Sequence, residues 1–230
     1  EGLIRFNPEK PDYEFFNSNG KDGKSIAGDM VFNLAEDNKG NIYAVSANGG
    51  LSIYKKSEGI IKTFKYNSSD KNSICSNRLM SIIIDKAGKV WIGTFDKGLI
   101  YFDPVNETFT NIYHDPSISS SLSIGAVMSI YEDRSGGLWF GNGGGGINRF
   151  DPKNQNFTHF QYIPGKTNSI SPNPVLSICE DSEGNLYIGS DGGGLNIKEK
   201  KSEVFHTFLL NPLYGSNAIT AIYEDSKGNI

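Results

Sequence analysis

The chain reads as short apolar runs broken by turn residues, and the runs come in sets. Leu79-Met80-Ser81-Ile82-Ile83-Ile84 and Val127-Met128-Ser129-Ile130-Tyr131 are apolar at consecutive rather than alternate positions, the pattern of a strand covered on both faces. After each such run stands Asp-x-x-Gly: Asp37 with Gly40, Asp85 with Gly88, Asp133 with Gly136, Asp181 with Gly184, Asp225 with Gly228. An aspartate that accepts backbone N–H bonds, with a glycine at positive φ three residues later, predicts a hairpin with a type I turn and a bulge. Next comes a large ring, Tyr43, Trp91, Trp139 or Tyr187, sized to fill the wedge between two sheets. The loops Ser46-Ala47-Asn48-Gly49, Thr94-Phe95-Asp96-Lys97, Asn142-Gly143-Gly144-Gly145 and Ser190-Asp191-Gly192-Gly193 then close a second hairpin. A third strand such as Gly98-Leu99-Ile100-Tyr101-Phe102, a turn such as Asp103-Pro104 or Asp151-Pro152, and a fourth strand such as Phe157-Thr158-His159-Phe160 complete the set.

The sets repeat at a fixed step. Gly2, Gly50, Gly98, Gly146 and Gly194 lie 48 residues apart, each followed by an apolar residue: Leu3, Leu51, Leu99, Ile147 and Leu195. The aspartates keep the same step until Asp225, which comes after 44 residues because the loop from Phe208 to Asn217 is four residues shorter. Four strands at this period predict an all-β fold, a β-propeller of four-stranded antiparallel blades. A parallel solenoid needs shorter coils, and helical or leucine-rich repeats space their apolar residues differently. The blades fall at approximately 1–25 (partial), 26–73, 74–121, 122–169, 170–213 and 214–230 (partial), all within one propeller region spanning 1–230. Five innermost strands are expected, beginning near Val31, Leu79, Val127, Val175 and Ile219. Within them Asn33, Ser81, Ser129, Ser177 and Ala221 stay small or polar, as crowding around a central axis requires. Both ends fall in mid-blade, so the expectation is a segment of a larger propeller.

Composition agrees with many short strands: 37% hydrophobic and 12% aromatic residues, with 27 Gly and 9 Pro among 230 residues. Lys plus Arg number 22 against 26 Asp plus Glu, without a basic cluster, so the electrostatic footprint of a nucleic-acid binder is missing. Cys75 and Cys179 occupy non-equivalent places in the repeat and support neither a disulfide framework nor a metal site. No apolar run of membrane-spanning length occurs, and no charged-then-apolar leader opens the stretch.

Candidate chemistry is thin. Gly141-Asn142-Gly143-Gly144-Gly145-Gly146 matches the dinucleotide fingerprint, but a strand follows where the phosphate-binding helix should open, so no cofactor is expected. The pairs Glu36-Asp37, Glu132-Asp133, Glu180-Asp181 and Glu224-Asp225 resemble glycosidase carboxylates, yet a residue recurring in every blade at a turn makes the turn. His114, His159 and His206 lack metal-ligand spacing, and no nucleophile elbow or His-Glu-x-x-His occurs. In a four-stranded blade the loop between strands two and three opens on the same face as the entry to the next innermost strand. That rim collects the low-specificity ligand candidates Asp29, Asn77, Arg78, Asp96, Asn142, Asn173, Asp191 and Asn217. Arg78 stands where other repeats have Met30, Ala126, Pro174 and Ala218; it fits a carboxylate anchor or sugar-stacking group, and equally a locally paired rim charge.

The composite Ser-Ile-Tyr-Glu-Asp-Arg-Ser-Gly-Gly-Leu-Trp-Phe-Gly at 129–141 resembles the two-component regulator propeller repeat of the sensor regions of Bacteroides-type hybrid two-component systems. The likeness extends over essentially the whole chain and is strongest at Ile84-Asp85-Lys86-Ala87-Gly88-Lys89-Val90-Trp91-Ile92-Gly93-Thr94 and at Asn-Ser-Ile 72–74 and 168–170. Ala44-Val45 in place of Ile-Gly, and Lys198 in place of the aromatic seen at Phe6, Tyr54, Phe102 and Phe150, depart from it. The resemblance implies a periplasmic sensor region of two propellers and an immunoglobulin-like domain, then a membrane helix, histidine kinase, receiver and DNA-binding regulator. It implies a glycan breakdown product as signal, bound with help from a neighbouring domain, and it carries no ligand residue onto this stretch. The expected role is non-catalytic: to bind an oligosaccharide and relay it through rearrangement of the neighbouring propeller and immunoglobulin-like domain or of a homodimer. The competing expectations are a propeller lyase or Asp-box glycosidase, which needs one rim cluster of His, Glu or Arg, and a scaffold that binds no small molecule.

Overall fold

A computed structural model describes residues 2–21, 23–144, 146–152, 154–209 and 216–230; the shortened loop expected at 208–217 therefore lies mostly outside the described residues, as does Gly145. The chain resolves into two compact units, residues 1–112 and 113–230. In the first, the hairpin β1 (Leu3–Asn7) and β2 (Asp12–Phe16) precedes two blades. One is β3 (Val31–Glu36), β4 (Ile42–Ser46), β5 (Gly50–Lys55) and β6 (Ile60–Phe64). The other is β7 (Leu79–Ile84), β8 (Val90–Thr94), β9 (Leu99–Asp103) and β10 (Thr108–Ile112). The second unit holds a blade of β11 (Val127–Glu132), β12 (Leu138–Asn142), β13 (Ile147–Asp151) and β14 (Asn156–Phe160). Its last complete blade is β15 (Val175–Glu180), β16 (Leu186–Ser190), β17 (Gly194–Lys198) and β18 (Phe205–Phe208). Each is a four-stranded antiparallel sheet in chain order, the blade of a β-propeller. The described residues contain no helix.

The turns form as their residues dictate. In each, the glycine N–H returns to the aspartate carbonyl, as Gly88 to Asp85 at 2.8 Å, and the glycine φ is positive, 77° at Gly88 and 84° at Gly136. The aspartate does more than make the turn. Asp133 Oδ1 accepts from Gly137 N at 2.7 Å and Ser135 Oγ at 2.6 Å, while Oδ2 accepts the indole N–H of Trp139 at 2.9 Å. Asp85 holds Trp91 Nε1 at 2.9 Å, and Asp37 accepts from Tyr43 Oη at 3.2 Å. The wedge aromatic is thus fixed by the turn six residues before it, and its polar edge is satisfied where it is buried.

Within the first unit, the ring of Tyr43 meets Phe102 of the next blade edge-on at 6.5 Å, and Phe64 meets Phe109 at 5.2 Å. In the second, Trp139, Phe160 and Phe205 form a chain of rings at 5.7 and 5.6 Å. Such pairs add roughly 0.5–1.5 kcal/mol each beyond the area they bury.

In the second unit the small polar residue of the innermost strand is also used: Ser129 Oγ donates to Val175 O and Ser177 Oγ to Ile219 O, both at 3.1 Å, tying each of these strands to the segment that follows. The register slips just before it in all four, between Val31/Asn33, Leu79/Ser81, Val127/Ser129 and Val175/Ser177, which bulges the strand and in the last three brings serine against a glycine such as Gly141. A β-carbon on Gly141 would sit 2.2 Å from Ser129 Oγ. The fifth innermost strand, expected from Ile219, does not form. Its residues are extended and the turn at Asp225 closes, Gly228 N to Asp225 O at 3.1 Å, but no second strand of that blade lies among the described residues to complete its ladder.

Candidate functional site

The rim is built by the long connection from each outermost strand to the next innermost one, and that loop is locked by a serine. Ser73 Oγ donates to Asn67 O at 3.0 Å and accepts from Asn67 N at 3.1 Å. Ser121 does the same to Asp115, donating at 2.7 Å and accepting at 3.1 Å. Ser169 accepts from Ile163 N at 3.1 Å and donates to Lys166 O at 3.0 Å. A side chain of the blade then ties the loop down: Asn148 Oδ1 accepts from Ser123 N at 3.3 Å, and Asn196 Oδ1 from Ser171 N at 2.9 Å. In the β7–β10 blade the equivalent position is Ile100, and Asn111 on the outermost strand substitutes, accepting from Cys75 N at 3.2 Å. Burial pushes the Cys75 thiol up to about 11, so it is an inert packing group.

The eight rim candidates divide into two groups. In the first unit, Asp29 accepts from Ser18 N at 2.6 Å and Ser18 Oγ at 2.7 Å, and these bonds hold its carboxyl below the ordinary value. Asn77 Oδ1 accepts from Tyr66 N at 2.7 Å. Arg78 lays its guanidinium over the ring of Phe95, 4.1 Å from the centroid, and faces Asp96 at 3.8 Å. Asp96 also accepts from Ser76 Oγ at 2.7 Å. Arg78 is a charge paired within its own rim.

In the second unit Asn142 is not at the surface at all. It is fully buried, donating to Ser123 Oγ at 2.9 Å and accepting from Asn148 at 2.8 Å, because its amide braces the loop from beneath. Asn173 Nδ2 donates to Asp191 O at 2.8 Å, which fixes the amide with Oδ1 beside Gly193. Asp191 is exposed, with its own N–H bonded to Pro174 O at 2.8 Å. Asn217 gives its carbonyl to Gly194 N at 2.9 Å.

Asn173 lines a recess of about 370 Å³ bounded by Tyr162, Lys166, Thr167, Asn173, Gly192 and Gly193 among others. Tyr162, Lys166 and Thr167 were not picked out by sequence; they lie in the same loop as the Asn-Ser-Ile element at 168–170, which was the available signal.

The groups suspected of hydrolytic chemistry are engaged in the scaffold. Glu180 accepts from Arg134 N at 2.6 Å, and Glu224 accepts from Ser182 N at 2.9 Å, so these two glutamates of the Glu-Asp pairs each cap the turn of the preceding blade. His114 Nδ1 and His159 Nε2 each lie 2.6 Å from a loop carbonyl, Leu122 O and Ser121 O.

With this geometry in hand, the comparisons are informative about the repeat. The two component regulator propeller family matches residues 73–96, 121–144 and 169–192. Each match opens on the locking serine and runs through the innermost hairpin to the rim loop. No curated protein matches the chain. Among solved structures, the extracellular domain of a hybrid two-component system of B. thetaiotaomicron superposes with a TM-score of 0.76 at 21% identity, over 99% of this chain and 28% of its own length. That of a second hybrid two-component system of the same organism gives 0.57 at 18%, over 99% and 35%. The virginiamycin B lyase of Staphylococcus aureus gives 0.63 at 16%, over 90% and 62%. The chain therefore spans about 28% of the length of the first of these relatives, and at such identities the likeness concerns the fold. The three matched segments, spaced on the 48-residue step and each carrying the serine lock and the Asp-bound aromatic, are similar to two component regulator propeller repeats.

Proposed function

We propose that this propeller is a non-catalytic, extracytoplasmic recognition module of a two-component signalling protein, and that it detects an oligosaccharide. The observation that carries the reading is the match of three successive repeats to the two component regulator propeller family. The fold likeness to extracellular domains of hybrid two-component systems supports it. The recess beside Asn173 has the size of a small-ligand site, within the usual range of about 300–1,000 Å³. Signal leaves such a module by rearrangement of a neighbouring propeller, an immunoglobulin-like domain or a homodimer, with a histidine kinase in the same parent protein as the receiver.

Calorimetric titration of the full chain against a panel of plant and host oligosaccharides tests this. Binding without turnover is the expected outcome. Turnover of any panel member would replace the reading with an enzymatic one, and absence of binding across the panel would overturn the sugar-sensing role.

A further inference from the structure

The loop of residues 161–174 stands between two recesses, of about 230 and 370 Å³, and Lys166, Ser169 and Ile170 line both. The polar groups of the larger recess are of two kinds. Ser169, Ser171 and Thr207 spend their hydroxyls on the loop lock and on Asn196. Tyr162, Lys166 and Thr167 make no side-chain hydrogen bond or ion pair among the described residues. Tyr162 presents a ring 46% exposed, with Leu209 likewise exposed at 66% in the same wall. Among the described residues Lys166 has no carboxylate partner; Glu203, the acid that lines the smaller recess with it, is paired with Lys198 at 3.4 Å. Asn173 offers Oδ1 as an acceptor, since its Nδ2 is held by Asp191 O.

A flat exposed ring, an unneutralised ammonium and an oriented amide acceptor within one recess match a ligand that has an apolar ring face, a carboxylate and hydroxyls. We propose that this recess binds a uronic-acid residue of an acidic oligosaccharide. Tyr162 stacks on the sugar ring, Lys166 pairs with its carboxylate, and Asn173 Oδ1 accepts from a ring hydroxyl. The amphipathic tyrosine suits stacking on C–H faces while its hydroxyl stays wet. Lysine, a compact charge on a flexible stem, suits a carboxylate approaching from solvent. A neutral sugar satisfies the ring and the amide but leaves the ammonium unmatched, so charge is the specificity element. The inference rests on the reading of the chain as a glycan-recognition module and adds to it the site and the ligand class.

The test is calorimetry of the full chain with oligomers of galacturonate, glucuronate and mannuronate against neutral oligomers of equal length, for wild type, Tyr162→Ala, Tyr162→Phe and Lys166→Gln. Both positions are at the surface, so an unchanged thermal midpoint in each variant establishes that it folds. The expected result is that at least one uronate oligomer binds, that Tyr162→Ala weakens it about tenfold while Tyr162→Phe does not, and that Lys166→Gln removes most of the preference over the neutral oligomer. Uronate binding unchanged in Tyr162→Ala and Lys166→Gln would overturn the site. Equal binding of neutral and acidic oligomers, or binding of neutral ones alone, would overturn the ligand class while leaving the recognition role standing. No binding of any oligomer would remove both.

Discussion

The rims of the β7–β10 and β15–β18 blades are made from the same loop, yet one is filled and the other open. In the first, Arg78, Phe95 and Asp96 close over the loop as a stacked and paired set, 4.1 Å from guanidinium to ring and 3.8 Å from guanidinium to carboxylate. One repeat step of 48 residues further along each member twice, at 174, 191 and 192, stand Pro174, Asp191 and Gly192, and next to them Gly193 replaces Lys97. Gly192 and Gly193, standing where the other blade has Asp96 and Lys97, line a recess of about 370 Å³. The backbone is unchanged: Phe95 N to Arg78 O at 2.9 Å is repeated by Asp191 N to Pro174 O at 2.8 Å. A repeat protein can therefore make a site by deleting side chains from one copy of a loop whose backbone every other copy preserves.

The largest effect should come from the tether beneath the open rim. Asn196 is fully buried and bonds Ser171 N, Ser171 Oγ, Ser190 Oγ and Thr207 Oγ1, so Asn196→Ala leaves several buried polar groups without partners. A loss of about 3 kcal/mol in urea denaturation is expected. A loss under about 1 kcal/mol would mean that the loop stands without its tether.

Asp133→Asn comes next, at about 2 kcal/mol near neutral pH, because an amide presents N–H where either Gly137 N or Trp139 Nε1 needs an acceptor. Burial resists ionisation at Asp133, but the donors Ser135, Trp139 and Gly137 outweigh it and hold the carboxyl below its ordinary value. With a lowered folded-state pKa, this stabilisation is complete above the unfolded value of about 4 and is lost as pH falls through the folded one. The gap between wild type and variant should then close on acidification; a gap independent of pH would assign the cost to packing.

Much of this was legible in the sequence, and the remainder was not for definite reasons. The 48-residue step and the Asp-x-x-Gly turns dictate four-stranded blades, because turn chemistry and two-sided burial are local properties. Asn142 was misplaced since a Gly-rich loop reads as exposed, while its burial depends on Asn148 and Ser123 reaching it from elsewhere in the blade. The tether at Ser52, Asn148 and Asn196 shares the repeat step and was a readable signal; its function shows only when the loop is seen to pass overhead. The recess does not show in the sequence, because Gly192 and Gly193 line it by having no side chain.

The closed rim should be more forgiving. Asn111→Ala removes acceptor and donor from a half-buried site, Cys75 N at 3.2 Å and Ser73 O at 3.1 Å, where water can replace them. About 1 kcal/mol is expected by urea denaturation. A cost matching that of Asn196→Ala would show that the two tethers are equivalent despite their different burial.

Arg78→Ala should have the smallest effect on stability, at most about 0.5 kcal/mol, since its side chain is half exposed and its pair with Asp96 is screened by solvent. Its value lies in what it does to the comparison. Removing the guanidinium leaves Phe95 unstacked and Asp96 with Ser76 Oγ as its remaining partner, yet Asp96 and Lys97 still fill the places that Gly192 and Gly193 leave open in the β15–β18 blade. If the open rim is the binding site, Arg78→Ala leaves oligosaccharide affinity at the wild-type value while Tyr162→Ala lowers it. The reverse outcome, measured by the same titration, would move recognition to the closed rim and make the stacked arginine, rather than the missing side chains, the feature that matters.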